Sequence, residues 1–512
     1  MIANNLDIGL NIKIKVLTLL ILGFLFTGCS DYLDVETTHV ASEDKQWTSL
    51  TDTRAGLMGV YGLFRAAVAN NNAHWIYGDL RQGDFKSYNR LDLRAVQENN
   101  LNASYKIVQE LSDWRRFYAV INAAAVFIEK APLVLEADPR YSEVNLKLDI
   151  AQARALRAFA YFYMVRIWGD VPLITQSYDN GSFEETPRAD QSQVLNYAES
   201  ELLAVVNELP FLYGVFPQNY YGQDQYYWNG VLLNKISIYA LLAHISAWKG
   251  NYADVDAYSS YVLESSNFDR ANISYSDINT LTSTTGLFSE RSPSQIVAFG
   301  FIDAEGESSR MGHIEDLTLA TPFVSKEIPD IYIPKDTITK IFSNPNDLRF
   351  GLDTISQSYR TNYFTNYNGE VPVFSKIKVL RDGYDDDPFA LFGSALIFTR
   401  LEEMTLLKAE ALAALNREDE AIIYLNTIRS ERGLPIFIKE DENDNVLKEI
   451  FNERRRELMG EGWRWYDQIR YQRLTQENPD FVNLEKEGGI YWPVSQSVLS
   501  SNSLINQNNY WK

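Results

Sequence analysis

The aromatic residues of this chain are concentrated in one short segment. Residues 211–228 hold eight aromatic side chains among eighteen positions, together with proline, glycine, asparagine and glutamine. Flat rings stack on the C–H faces of sugar rings, and neighbouring amides and carboxylates bind hydroxyl groups. The segment therefore predicts saccharide contacts, and its ring-stacking candidates are Tyr221, Tyr226, Tyr227 and Trp228. The alternative, which the sequence leaves open, is that these rings pack between helices.

A second segment, residues 70–90, combines aromatic rings with charged side chains that donate or accept in pairs. Its candidates are two rings and three charged groups: Trp75, Tyr77, Asp79, Arg81 and Asp84. This mixture suits ring stacking with hydroxyl binding, although an acidic residue near an arginine is also commonly structural. A third segment, residues 286–320, is predicted to be a long loop and contributes Arg310 and His313.

No catalytic arrangement is evident among the residue types that usually perform reactions. The histidines neither form an HExxH pair nor stand at metal-ligand spacing: His39, His74, His244 and His313. No G-x-S-x-G motif occurs. Carboxylates are so numerous that a glycosidase-like pair could be imagined anywhere, so a surface glycosidase stays an alternative. The sequence predicts a protein that is not an enzyme and that uses no cofactor and no metal.

Two acidic stretches raise the question of calcium. Residues 441–452 begin with alternating oxygen ligands, but Val446 stands where an EF-hand loop requires glycine and Asn452 where it requires glutamate. Residues 385–387 are three aspartates, which a solvated loop explains more simply. We therefore predict no calcium site in either stretch.

A run of three arginines, residues 454–456, lies between Glu453 and Glu457. Such a run could bind an anion. Ion pairs with neighbouring carboxylates on a helix explain it better, because opposite charges three or four residues apart lie side by side. We predict ion pairing.

The only cysteine of the chain, Cys29, follows an apolar run near the N-terminus. Lys13 and Lys15 precede this run, which covers residues 16–26 and is too short to span a bilayer. The small residues Thr27-Gly28 stand directly before the cysteine. This arrangement resembles the lipobox of bacterial lipoproteins.

The resemblance to a lipobox divides the chain into three parts. We expect a signal peptide over residues 1–28, an acylated tether over residues 29–46 that begins with lipid on Cys29, and one folded domain over residues 47–512. Several acyl chains on one residue hold a protein durably to a membrane. With a single cysteine there is no disulfide, so packing must stabilise the domain.

The chain is acidic, with 47 lysines and arginines against 68 aspartates and glutamates and a net charge of −21. Nucleic acids and anionic lipid surfaces require a basic face, so we expect neither as the main partner. A hydrophobic content of 46% over this length is sufficient for a large core.

The apolar residues follow a helical periodicity over most of the chain, so we expect helices to position the candidate residues. Strand-like stretches are short, at residues 295–301 and 371–379, so we predict a mostly α fold with irregular loops. The predicted helical segments are 104–131, 143–168, 191–208, 231–265, 394–415, 418–432 and 445–473.

Two of the helical segments carry small residues at a spacing that resembles tetratricopeptide helix hairpins. Ala243 and Val255 are twelve residues apart, as are Ala409 and Ala421. Small side chains at such positions let two antiparallel helices approach closely. The pattern is degenerate, because the large aromatic positions of a strict repeat are missing.

Several blocks of sequence, in order and spread over nearly the whole chain, resemble signature segments of the SusD/RagB family. They are SDWRRFY at 112–118, ARALRAF at 153–159, RIWGDVPL at 166–173, KAEA at 408–411, LNTIR at 425–429, RGLP at 432–435, ERRREL at 453–458, EGWRWYD at 461–467 and YWPV at 491–494. The resemblance implies a SusD-like fold with four degenerate tetratricopeptide-like helix hairpins, irregular loops and a few short strands.

The family resemblance also implies a place and a function. It implies a lipoprotein of the Gram-negative outer membrane, facing the cell exterior, that captures oligosaccharides and acts as the lid of a SusC-type TonB-dependent transporter. Two alternatives remain open, a scaffolding or gating lipoprotein without a ligand and a binder of another nutrient such as peptides. The identity, linkage and length of the glycan are not encoded in the aromatic segments, because ring stacking is shared by nearly all glycans.

Overall fold

The computed structural model of this chain describes residues 46–512 except 179–183, 214–219, 224, 229, 268–270, 290, 354, 383–389 and 442–443. The expected signal peptide, Cys29 and nearly all of the expected tether lie outside the described residues. So do residues 385–387 and part of the other acidic stretch considered for calcium.

Helices make up most of the described chain, which confirms the predicted fold class. The α-helices are α1 Leu50–Ala69, α2 Ala73–Trp75, α3 Leu91–Gln97, α4 Lys106–Leu111, α5 Arg115–Ala137, α6 Glu143–Trp168, α7 Gln191–Val205, α8 Gln225–Trp228, α9 Lys235–Lys249, α10 Tyr252–Ser265, α11 Ile278–Thr282, α12 Ile314–Thr318, α13 Lys335–Ile341, α14 Leu401–Ala414, α15 Glu418–Glu431, α16 Val446–Glu457, α17 Arg464–Thr475, α18 Pro479–Lys486 and α19 Gln496–Ser501. Short 3₁₀ segments lie at Asn70–Asn72, Tyr220–Gly222, Asp303–Glu305 and Asn509–Trp511, and a π-helical turn lies at Ile76–Leu80.

The described strands are two to four residues long and form two-stranded antiparallel sheets. They are β1 Lys86–Ser87, β2 Val297–Phe299, β3 Ile331–Tyr332, β4 Leu352–Asp353, β5 Ser358–Tyr359, β6 Phe364–Thr365, β7 Val373–Phe374, β8 Leu380–Asp382, β9 Leu391–Phe392 and β10 Leu396–Thr399. One pair, β1 with β3, joins the segment after α1 to the middle of the chain. The other pairs are β2 with β10, β4 with β5, β6 with β7 and β8 with β9.

Both predicted helix hairpins are present. Helices α9 and α10 pack on each other, and so do α14 and α15. The small residues that suggested the hairpins, Ala243 and Val255 in one and Ala409 and Ala421 in the other, are fully buried. Gly250 ends α9 with a φ of 77°, a left-handed conformation that glycine adopts without a steric penalty.

The remaining long helices also pack against neighbours. Helices α5 and α6 follow each other with a short connection and are in extensive contact, and α7 packs on α6. Helix α1 lies on both α5 and α6. Its buried side is spaced at three and four residues, with Leu57, Val60, Phe64 and Val68 in the core.

A turn interrupts the helix predicted over residues 445–473, so that prediction was wrong at this point. Gly460 and Gly462 have φ of 77° and 79°, which other residues adopt at a cost. A Cβ on Gly462 would lie 2.3 Å from Nε2 of His74, so only glycine permits this approach. The turn between α16 and α17 therefore packs directly on the segment that follows α1.

Buried charges in the C-terminal half form a network of ion pairs. Its centre is Glu457, a fully buried residue at the end of α16. The carboxylate of Glu457 lies 3.1, 3.0 and 2.8 Å from the guanidiniums of Arg349, Arg400 and Arg432. Although burial opposes ionisation, these guanidiniums, Arg432 above all, hold the pKa of Glu457 well below its usual range.

The network extends into the turn after α16. Arg400 also pairs with Glu461 at 2.8 Å, and the Glu461 carboxylate binds the ammonium of Lys376. Lys376 donates further to the carbonyls of Glu457 and Met459 at 2.8 and 3.0 Å. The backbone of the turn is thus fixed by the same groups that neutralise the buried charges.

The arginine run at residues 454–456 is ion-paired throughout, as predicted. The partners are Glu403 and Asp467 for Arg454, Asp84 for Arg455, and Glu449 and Glu453 for Arg456. Two of these carboxylates, Asp84 and Glu403, come from distant parts of the chain. The run therefore connects α16 to α14 and to the segment after α1.

We predict that Glu457→Gln destabilises the fold strongly. The substitution would leave three buried guanidiniums without this carboxylate, and breaking a buried ion pair in this way costs about 3–5 kcal/mol. Urea unfolding followed by circular dichroism measures the loss.

The matched control is Asp336→Asn, which removes a carboxylate whose side chain is 70% exposed and paired with Lys340 on the surface. An exposed pair contributes little, so this unfolding curve should nearly overlay that of the unaltered chain. Equal effects of the two substitutions would show that the buried network does not stabilise the fold.

Candidate functional site

Trp75 and Tyr77, predicted to stack on sugar rings, lie in the core. Trp75 is 3% exposed and Tyr77 1%. The Tyr77 hydroxyl donates to the carbonyl of Leu111 at 2.6 Å, and its ring packs edge-on against Trp492 with centroids 5.0 Å apart. Neither ring has a free face for a sugar.

Asp79 and Arg81 are buried as well. The Asp79 carboxylate accepts from the backbone N–H of Gly462 at 2.5 Å, and burial raises its pKa to about 7. The Arg81 guanidinium donates to Asn99 Oδ1 at 2.9 and 2.7 Å and lies 4.5 Å from the centroid of the Trp465 ring. Both residues bind other parts of the chain.

Asp84 pairs with two arginines of the C-terminal half. Its carboxylate is 2.9 Å from Nε of Arg455 and 3.4 Å from Nε of Arg464. The five candidates between residues 75 and 84 therefore form packing and ion-pair contacts within the chain. The segment is covered by the turn after α16, and ligand contact by these residues stays a prediction.

The aromatic segment 211–228 is anchored on one buried carboxylate. Asp149 of α6 accepts hydrogen bonds from the hydroxyls of Tyr141 at 2.8 Å, Tyr221 at 2.5 Å and Tyr220. Burial raises the pKa of Asp149 to about 6, against the opposing effect of these hydroxyls. Tyr221 has a φ of 49°, and its hydroxyl contact with Asp149 holds this turn to α6.

The other predicted rings of this segment differ in exposure. Trp228 is 5% exposed and packs against Tyr220, with ring centroids 5.1 Å apart. Tyr227 is 37% exposed, its hydroxyl accepts from Arg54 at 3.0 Å, and the Arg291 guanidinium lies 5.4 Å from its ring centroid. The side chain of Tyr226 lies outside the described residues. Among the described side chains of this segment, only Tyr227 combines an aromatic ring with substantial exposure.

An open groove of about 1060 Å³ lies on another part of the surface. Its walls are the asparagine turn Asn70–Asn72, the start of α3, helix α4, the start of α5, the loop from Ser309 to Gly312, and helix α12 with Asp316 and Leu317. Amides, carboxylates and guanidiniums line it, and Met311, 71% exposed, adds an apolar surface. These groups can bind hydroxyls and cover a C–H face.

The asparagine turn begins directly after helix α1, which ends at Ala69. Asn71 and Asn72 have φ of 63° and 53°, a left-handed conformation that asparagine adopts more readily than most residues. The turn brings three successive amides to the groove. Gly312, with a φ of 89°, lets the opposite loop approach, since a Cβ there would lie 3.3 Å from the carbonyl of Ala69.

The charged groups of the groove differ in their partners. Arg90 pairs with Asp92 at 2.7 Å, and Arg115 bonds Asp113 at 2.9 Å. Within the described residues, Arg116 donates only to neutral acceptors, namely Asn71 Oδ1 at 3.2 Å and the carbonyls of Glu110, Asn70 and Ala67 at 3.0, 3.1 and 3.4 Å. Arg116 therefore holds the asparagine turn against α4 and α5.

The structure brings together parts of the second and third predicted segments. Asn70–Asn72 and Arg90 come from the second, and Arg310 comes from the third. His313 of the third is buried and bonds the carbonyl of Ser394 at 3.1 Å, so it does not line the groove. Sequence reasoning missed the contribution of residues 106–116, although three consecutive asparagines after a helix were a usable signal of an exposed polar turn.

In the described part of the chain, no group of three or more histidine, cysteine, aspartate or glutamate side chains is arranged to hold a metal ion. The groove offers hydrogen-bonding groups and the apolar side chains of Ile107 and Met311, and the aromatic segment offers ring contacts. Their chemistry is suited to noncovalent binding of a polar organic ligand.

Comparison with known proteins identifies the family. The SusD family model matches residues 392–511. A SusD superfamily protein of known structure from Bacteroides thetaiotaomicron is 54% identical, with a TM-score of 0.84, over 91% of this chain and 100% of that one. This chain belongs to the SusD family, as its sequence blocks suggested.

More distant relatives share the same architecture over most of their length. SusD-like protein P38 of Formosa agariphila is 25% identical over 97% of this chain and 98% of its own. A Bacteroides vulgatus protein named for sugar binding is 17% identical, with a TM-score of 0.68, over 91% of this chain and 99% of that one. The last similarity establishes a shared fold.

We predict that Asp149→Asn removes one pH-dependent component of stability. Burial raises the pKa of Asp149 from 3.8 to about 6, so the folded state binds this proton more tightly than the unfolded state. The unaltered chain should therefore lose stability relative to the variant as the pH rises from about 4 to about 6, and no further above that. Urea unfolding at several pH values in this window measures the difference.

Asp336→Asn again serves as the control, because it removes an exposed surface carboxylate. A constant difference between Asp149→Asn and the unaltered chain would contradict the assignment of this proton to Asp149.

Proposed function

We propose that this chain is a lipid-anchored cell-surface protein that captures oligosaccharides in the groove beside the asparagine turn. In this proposal it acts as the lid of a SusC-type TonB-dependent transporter and delivers the captured glycan for import across the outer membrane. Its role is binding, and no reaction is required of its residues.

The observation that carries the proposal is the composition of the groove. Its volume of about 1060 Å³ is large enough for several sugar units, and the groove is open to solvent. Hydroxyl groups need acceptors and donors together, and the groove offers both through its amides, carboxylates and guanidiniums. Met311 and the partly exposed Ile107 give the C–H faces of a sugar an apolar surface.

Family membership and the neighbouring proteins support the same reading. A structural relative from Bacteroides vulgatus is named for sugar binding. The lipobox-like sequence before Cys29 suits attachment to the membrane, and the acidic composition suits a surface exposed to the cell exterior. The family resemblance supports a position on the cell surface and a partnership with a transporter.

The first prediction of this proposal is that the purified full chain binds oligosaccharides without converting them. A panel of short gluco-, manno-, galacto-, xylo- and arabino-oligosaccharides, tested by calorimetry with chromatography of the recovered sugars, should give at least one binder and no product. Met311→Asp should weaken that binding about tenfold or more, because it replaces an apolar contact by a charge.

Tyr227→Ala is the matched comparison, since it removes an exposed ring at the competing aromatic surface. Retained binding in Tyr227→Ala and lost binding in Met311→Asp would support the groove. The opposite pattern would move the site to the aromatic segment, and product formation would contradict a binding role.

A further prediction concerns the anchor. Cys29→Ala removes the atom that would carry the lipid, so the protein should move from the membrane fraction to the soluble fraction while its oligosaccharide affinity is unchanged. Fractionation followed by calorimetry tests both parts. A variant that stays in the membrane fraction would show that another segment holds the protein there.

A further inference from the structure

The wall of the groove contains a buried acceptor that has no partner. Asn72 is 5% exposed and lines the groove, and its Oδ1 atom makes no hydrogen bond within the described residues. An unsatisfied buried amide oxygen is destabilising, so native proteins rarely leave one without a reason.

The Asp316 carboxylate determines which atom of the Asn72 amide has no hydrogen-bond partner. Asn72 Nδ2 lies 3.5 Å from Oδ2 of Asp316, and a carboxylate only accepts. The amide must therefore present its N–H group to Asp316, and its oxygen becomes the orphan acceptor.

Asp316 itself is poorly satisfied. Among the described residues, the long contact with Asn72 is the only hydrogen bond to its carboxylate. The ammonium of Lys326 lies nearby but donates to the backbone carbonyl of Asp316 at 3.0 Å and pairs with Asp330 at 3.1 Å. Asn72 and Asp316 thus both line the groove, and each has an acceptor with spare capacity.

We propose that Asn72 and Asp316 together bind two neighbouring hydroxyl groups of a sugar ring, and so make the groove selective for saccharides with a free vicinal diol. Each hydroxyl donates one hydrogen bond, one to Oδ1 of Asn72 and one to the Asp316 carboxylate. The Asn72 N–H group keeps the two acceptors side by side. This inference rests on the proposed function, because it names the chemical group recognised in the same groove.

The test uses the full chain and the neutral oligosaccharide panel described above. Asp316→Asn removes the charge while keeping the shape, and Asn72→Gly removes the amide without straining a left-handed backbone. Each should weaken binding of the panel sugars about tenfold or more, since a hydrogen bond to a charged or buried acceptor is lost. The matched control, Asp330→Asn, removes a neighbouring carboxylate that pairs with Arg90 and Lys326, and it should leave the affinity within about twofold.

Thermal unfolding of each variant separates loss of contact from loss of fold, and Asp316→Asn alone suffices if Asn72→Gly does not fold. If the unaltered chain binds panel sugars and Asp316→Asn binds them equally well, this inference is wrong while the proposed function stands. If the unaltered chain binds no panel member, the proposed function fails first. Tighter binding of cationic amino-sugar oligomers than of neutral ones would show that an ammonium, not a diol, is recognised.

Discussion

The buried charges around α16 can stay in the core only if each has a partner, and this requirement organises the structure. Taking an ion out of water costs several kcal/mol unless opposite charges and hydrogen bonds replace the water. Glu457 and Glu461 meet that requirement by pairing with Arg349, Arg400, Arg432 and Lys376. These partners come from four separate loops and turns, so the network gathers the C-terminal half around one helix.

The same network determines where the segment after α1 lies. The carbonyl of Glu461 bonds His74 Nε2 at 2.9 Å, the N–H of Gly462 bonds Asp79, and Arg455 pairs with Asp84. The residues that looked like a sugar site in the sequence are therefore the contacts that fix this segment to the C-terminal half. The asparagine turn, just before them in the chain, forms one wall of the groove.

The aromatic segment is also held by a buried charge, but here the partners of the carboxylate are neutral tyrosine hydroxyls. Three tyrosine hydroxyls converge on Asp149, and two of the rings that a sugar could have used, Tyr220 and Trp228, become part of the core. Polar tips on aromatic rings allow either role, because a hydroxyl bonds a buried carboxylate as readily as a ligand. The local sequence contains no signal that separates the two.

The sequence by itself determined the mostly α class, the two hairpins with Ala243 and Ala409 and the family, because these depend on local periodicity and short spacings. It indicated that the arginine run is ion-paired, but two of the partners, Asp84 and Glu403, lie far from the run in the chain. It did not determine which polar residues face solvent. Trp75 and Tyr77 were predicted at the site and lie in the core, while Arg116 and Asp316, 200 residues apart in the chain, line one groove. Only the tertiary structure decided this, because burial depends on which distant segment covers a residue. Here the covering turn is held by ion pairs between Asp84 and arginines that lie more than 350 residues further along the chain.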